Sequence, residues 1–219
     1  MTENKALGEK LFGAELWAEL PGMLGNLPKS VHIHMWGDEN GSRAEQETAV
    51  LGQLLASQFP QIHFRIFPRR INYDYYPVLG IQGQDEQGEL IDYGVRLIGW
   101  PDGYQMTSLI AAIQAVAFQG QTLEPKTRIL LARLSQPVTI ELITSAEDEA
   151  GSTVAKHMFG MAVAHPQIRA FLIMGDLFPE AIMRYSVNSV PHVIINQRLH
   201  VDSVPNEEQL LQHIATAVS

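Results

Sequence analysis

The sequence predicts an α/β protein of two tandem units of the same build, each a mixed sheet flanked by helices. Three observations predict it: a long stretch that recurs once, the order of apolar periods within each copy, and a proline-led strand after each copy.

The recurring stretch is VHIHMWGDENGSRAEQETAVLGQLLASQFPQIHFRIF at 31–67. It lies on VTIELITSAEDEAGSTVAKHMFGMAVAHPQIRAFLIM at 138–174 with a shift of about one residue between the two ends, anchored by FPQI against HPQI. In each copy an apolar strand enters a polar, acidic turn. A helix of mixed apolar spacing follows, then Pro-Gln-Ile and a second strand. This is a β-α-β unit twice over.

A proline then heads another apolar run, YYPVLGI at 75–81 and SVPHVII at 189–195. In the first half the hairpin partner is GELIDYGVRLIG and the closing helix lies in TSLIAAIQAVAF. In the second they are QRLHVDSV and NEEQLLQHIATAV, where Asn206 can cap the helix and Glu207 and Glu208 fill its first turn. A β-α-β unit followed by a hairpin and a helix gives a sheet part parallel and part antiparallel, with helices on both faces. That is the architecture of thioredoxin and glutaredoxin.

Segment 120–137, GQTLEPKTRILLARLSQP, links the halves through a short helix bounded by prolines. The expected units are therefore 1–120 and 121–219. The first is shortened: Pro77 follows Phe67 by 10 residues, whereas Pro191 follows Met174 by 17, so the helix kept as PEAIMRYS in the second half has no counterpart.

Composition narrows the function. The formal charge of −9, from 24 acidic and 15 basic residues with no basic run, argues against nucleic acid or an anionic membrane as partner. No apolar run approaches the ~20 residues of a spanning helix. The opening MTENKALGEKLFGAEL mixes charges into its apolar positions, unlike a signal peptide, so a cytoplasmic protein is expected. The absence of cysteine removes disulfides, thiolate catalysis and thiolate metal sites together. Phosphate-loop, dinucleotide, zincin and nucleophile-elbow motifs are absent as well, and Ser152 with His157 has no visible acid-base arrangement.

DYGVRLIGWPDGYQMTSLI at 92–110, FPEAIMRYSVNSVPHVII at 178–195 and KALGEKLFGAEL at 5–16 carry a resemblance that runs nearly end to end. The chain resembles the tandem-thioredoxin, glutaredoxin-like protein disulfide oxidoreductases of archaea and thermophilic bacteria. The resemblance implies a C-x-x-C motif at the turn between first strand and helix of each unit, faced by a cis-proline. Here those positions fall on Gly41-Ser42-Arg43-Ala44 and Asp148-Glu149-Ala150-Gly151, which cannot form a disulfide. The chain is thus expected to be a cysteine-free relative whose family activity is lost, because exchange needs a thiolate that attacks a disulfide sulphur.

The resemblance also implies that Val190–Pro191 is cis and that Val190 and Pro191, with Tyr76 and Pro77 as the corresponding pair, form a loop able to pair with an extended peptide or a glutathione moiety. Main-chain pairing of that kind needs no cysteine. The loop is equally explained by the fold's need for the turn. The acids have two readings as well. Glu147, Asp148 and Glu149, and Asp38 and Glu39 ahead of an S-x-x-E at Ser42 and Glu45, suit helix capping, and Asp148 could alternatively hold a ligand. Tyr73, Tyr75 and Tyr76 beside Arg69 and Arg70 either line a groove for a planar or anionic ligand or pack the shortened loop onto the sheet. His32 and His34 share a strand face near Asp38, but their counterparts Thr139 and Glu141 are not histidines, so no metal is expected.

The expected function is a redox-inactive, thioredoxin-like module for protein or peptide binding or for assembly, with oligomerisation open. The alternative is a glutathione-dependent transferase or isomerase that uses the thiol of glutathione in place of its own.

Overall fold

The computed structural model describes residues 2–218, with side chains from residue 4 onward. Its elements are α1 (Thr2–Phe12), α2 (Ala14–Leu24), β1 (Val31–Trp36), α3 (Arg43–Gln58), β2 (Ile62–Phe67), β3 (Val78–Gln84), β4 (Leu90–Ile98), α4 (Gln105–Ala117), α5 (Pro125–Leu131), β5 (Val138–Thr144), α6 (Glu149–Ala164), β6 (Ile168–Met174), α7 (Pro179–Tyr185), β7 (His192–Ile195), β8 (Leu199–Val201) and α8 (Glu207–Ala217). The β-α-β-β-β-α order of the first half, and the β-α-β-α-β-β-α order of the second, follow the apolar periods of the sequence. Helices α1 and α2 precede the first strand, where the sequence reading assigns no element.

The strands form one eight-stranded sheet in the order β2-β1-β3-β4-β6-β5-β7-β8. In the first half β1 runs parallel to β2 and antiparallel to β3, which pairs with β4. In the second, β5 runs parallel to β6 and antiparallel to β7, which pairs with β8. The halves meet where β4 lies parallel to β6, from Val95 against Ala170 to Ile98 against Ile173.

Strand alternation sorts side chains to the two faces. Val31, Ile33, Met35, Ile140 and Leu142 join Leu20, Leu55, Ile113, Met158 and Ile214 of the helices in one continuous core. The opposite face holds a smaller cluster around Trp36, Val78, Ile98, Ile143, Ile173 and Ile194, under α7 and the tyrosines of the shortened loop. Helical cover of the second face is therefore confined to α7, because the first half passes from β2 to β3 through residues 68–77 without a helix.

Caps fix where the helices begin. Ser42 and Asn206 each form a capping box, with Glu45 and Gln209, and the Asp148 carboxylate accepts the Gly151 N–H. Each satisfies N–H groups that the first turn leaves without intrahelical partners. Pro125 and Pro179 open α5 and α7, a position that requires no N–H.

The loop before α4 docks onto the turn after β5 through the Tyr104 N–H, which donates to the Ala146 carbonyl at 2.9 Å. Gly103 permits that approach: its φ is +55° and a Cβ there would sit 2.2 Å from the same carbonyl oxygen. Gly103→Ala is expected to cost roughly 1–3 kcal/mol, read as a lowered urea midpoint at unchanged slope. Gly22→Ala, where a Cβ meets nothing within 4 Å, should be neutral or stabilising in the same measurement.

Candidate functional site

Each half carries a turn between its first strand and the following helix, with a proline-led loop beside it. Trp36 and Ile143 occupy equivalent places, because each pairs with the residue that follows the loop proline, Val78 and His192. The helix N-cap Ser42 lies six positions beyond Trp36, while Asp148 lies five beyond Ile143. The first turn is thus one residue longer, which locates the one-residue shift of the repeat. Counted from the caps, Ser42-Arg43-Ala44-Glu45 stands where Asp148-Glu149-Ala150-Gly151 does, so the sequence alignment to Gly41–Ala44 is one residue early. Gly41 instead closes the turn with its N–H on the Asp38 carbonyl, and half-buried Ala44 packs on the main core.

In the first site the fourth position is Glu45, fully buried. Its Oε1 accepts the Asp38 N–H and Arg69 Nε, both at 2.9 Å. Its Oε2 accepts the Ser42 N–H at 2.9 Å, the Ser42 hydroxyl at 2.8 Å and Arg69 Nη2 at 2.6 Å. Burial alone would raise its pKa, but the Arg69 guanidinium, the Ser42 and Asp38 N–H groups and the Ser42 hydroxyl outweigh it and bring the carboxyl to about 2. Arg69 spans from this carboxylate to the proline loop, its guanidinium carbon 5.3 Å from the centre of the Tyr76 ring.

In the second site Asp148 is buried as well. Its Oδ1 accepts the Gly151 N–H at 2.9 Å and its Oδ2 the Thr144 hydroxyl at 2.8 Å. Gly151 follows from that packing, since a Cβ would lie 2.3 Å from Thr144 Oγ1. The turn is roofed by the other half: Gln105, itself fully buried, donates Nε2 to the carbonyls of Asp148 at 2.7 Å and Ser145 at 3.0 Å. Asp148 therefore caps its helix with its carboxylate occupied, while Glu147 and Glu149 point outward as exposed residues. Where a thiolate would use the positive end of the helix, this chain places carboxylates, which accept strong hydrogen bonds but cannot exchange electrons.

The peptide bonds Tyr76–Pro77 and Val190–Pro191 are both cis. The loops differ in what surrounds them. Tyr76 donates its hydroxyl to the Arg70 carbonyl and sits edge-on to Tyr73, whose hydroxyl accepts Arg96 Nε at 2.8 Å. Tyr75 stacks on Phe178 with ring centres 4.8 Å apart, and Arg70 covers Trp36. The tyrosines thus pack the shortened loop onto the sheet. The second loop is plainer: Pro191 is buried, Val190 is half-buried against the smaller cluster, and neither backbone group of Val190 has a hydrogen-bond partner among the described residues.

His32 and His34 do lie on one face of β1, with His32 4.7 Å from the His63 ring and His34 4.7 Å from Phe67. Burial lowers the pKa of both. Among the described residues no group of three or more His, Asp or Glu side chains is placed to hold a metal ion. Sequence reasoning did not join Glu45 to Arg69, nor Gln105 to the Asp148 turn. The S-x-x-E motif was the available signal for the first, and the second left none.

No family model matches the chain. Among curated proteins it is similar to the F subunit of the alkyl hydroperoxide reductase of Pseudomonas aeruginosa, 26% identical over 128 residues. That match takes in 58% of this chain and 25% of the relative, so the chain spans about a quarter of that protein's length. Among solved structures it is similar to the corresponding protein of Enterococcus faecalis, AhpF, as its C503A mutant, with a TM-score of 0.80 at 20% identity over 90% of this chain and 96% of the other. It is also similar to a protein disulfide oxidoreductase of Aeropyrum pernix, with a TM-score of 0.76 at 20% identity over 91% and 90%. These likenesses show the fold, a thioredoxin-like α/β arrangement with a mixed eight-stranded sheet. Among the described residues no helix is long and apolar enough to cross a membrane.

Glu45 supplies a test of the first site. Its folded pKa lies below the ordinary 4.5, so its contribution is complete above that value and fades as pH falls towards about 2. Glu45→Ala should cost roughly 1–3 kcal/mol at neutral pH, chiefly by leaving the Asp38 and Ser42 N–H groups without their acceptor. Urea melts across that acid window should show the gap between wild type and variant closing.

Proposed function

We propose that the chain is a redox-inactive thioredoxin-like module that binds an extended segment of a protein or peptide along the loop before Pro191. The observation that carries this reading is the backbone of Val190, half-buried and without a hydrogen-bond partner among the described residues. An incoming strand could satisfy both groups and rest on the apolar cluster beneath, the mode of recognition in which main-chain bonds give affinity and pockets give specificity. The first half is less suited, because Arg69, Tyr73 and Tyr76 already fill the space around Pro77.

With no cysteine in its 219 residues the chain lacks both the attacking and the resolving thiol. Insulin reduction in the presence of thioredoxin reductase or glutathione should therefore stay at the uncatalysed rate. For binding, an immobilised library of extended peptides is the probe. Peptides it retains should protect the Val190 amide from hydrogen exchange and lose affinity on Val190→Pro, which removes that N–H. Turnover of insulin, or retained peptides that leave Val190 unprotected, would overturn the reading. Competition by millimolar glutathione would point instead to the glutathione-dependent chemistry the fold also accommodates.

A further inference from the structure

A cleft of about 460 Å³ opens on the second face of the sheet, above the β4–β6 junction. Its size falls in the range of small-molecule sites. The Asn72–Tyr75 segment forms one wall and Arg184 and Tyr185 of α7 the other, tied across the mouth by the Arg184–Asp74 ion pair at 3.1 Å.

Strand register lays out the floor. Arg96, Phe171 and Glu141 stand side by side on β4, β6 and β5, followed by Ile98, Ile173 and Ile143 in the next row. On the other side Arg169 pairs in register with Thr139. Phe171 keeps Arg96 from Glu141. Arg96 is instead spent on Asp92, with Nη2 to Oδ2 at 2.5 Å and Nη1 to Oδ1 at 2.9 Å, and on Tyr73 and the Val95 carbonyl.

Two charged groups in the cleft are left under-used. Glu141 receives a single proton donor, the Tyr185 hydroxyl, 2.9 Å from each of its oxygens, and feels the charge of Arg184, which makes its own ion pair with Asp74. Arg169 acts on Asp92 through its charge but makes no hydrogen bond or ion pair among the described residues. They sit on neighbouring strands one diagonal apart, a Cα separation of about 7–8 Å, and do not bridge each other. Aromatic rings of Tyr75, Phe171 and Tyr185 surround them.

We propose that this cleft binds a small zwitterion, a free α-amino acid with an apolar side chain, its carboxylate on Arg169 and its ammonium on Glu141. The other charges nearby are already paired, so a ligand carrying only one charge would leave either Arg169 or Glu141 unmatched. A zwitterion matches both. Burial raises the Glu141 pKa, and Tyr185, pushed up to about 12 by burial and by Glu141, stays a donor. An ammonium beside Glu141 restores its charge, so binding near its pKa releases a proton. This inference stands apart from the peptide loop at Pro191.

Calorimetry on the full chain with L-phenylalanine, phenylalaninamide and 3-phenylpropionate tests it. The first should bind, and the two one-headed analogues should each bind about tenfold more weakly. Arg169→Ala should erase the preference for phenylalanine over its amide, and Glu141→Gln the preference over phenylpropionate, with melting curves verifying that both variants fold. Absence of heat with millimolar phenylalanine, equal affinity for the three probes, or preferences untouched by either substitution would overturn the assignment. Since the comparison of probes needs only the wild-type chain, an unfolded variant does not remove the test.

Discussion

The N–H groups that open an α-helix have no partner within it, and in this chain two buried carboxylates, Glu45 and Asp148, meet that demand, one in each half. Much else follows from the choice. Glu45 draws Arg69 down from the shortened loop, and Arg69 then covers Tyr76. Asp148 binds Thr144 and its own helix so tightly that only glycine fits at 151. A carboxylate that accepts several hydrogen bonds is stabilised in its charged form and held in one orientation. Both positions are structural, held by an ion pair to half-exposed Arg69 in one turn and by close packing around Gly151 in the other.

The lack of a helix between β2 and β3 has an opposite, opening effect. The second half covers its outer sheet face with α7, while the first uses a loop with three tyrosines and two arginines. Aromatic faces and guanidinium planes stand in place of a helix there, as Arg70 and Arg96, 4.5 and 5.1 Å from the centre of the Trp36 ring, illustrate. The cleft lies beneath the place where this substitute cover and α7 meet, at the Arg184–Asp74 ion pair.

Most of the fold was legible because it is written locally. FPQI and HPQI mark corresponding corners, prolines lead corresponding strands, and Asn206 begins α8 as its side chain requires. Helices α1 and α2 were not, since Pro21 interrupts the helical signal of α2. The candidate site was legible only in outline. Turn length cannot be read from a periodic pattern, hence the one-residue error at Gly41–Ala44. Glu45 finds Arg69 24 positions away and Gln105 reaches Asp148 43 positions away, partnerships that tertiary packing alone decides. The floor of the cleft depends on the β4–β6 pairing, which belongs to neither repeat.

That pairing has its own physical meaning. Separated from its neighbour, the first half would end in Val95–Ile98 and the second in Ala170–Ile173, each an apolar strand with a bare row of amides and carbonyls. Such edges invite self-association. By shielding each against the other, the junction leaves the sheet bordered by β2 and the three-residue β8, so two apolar strands that would otherwise be edges are withdrawn from fibre-like stacking.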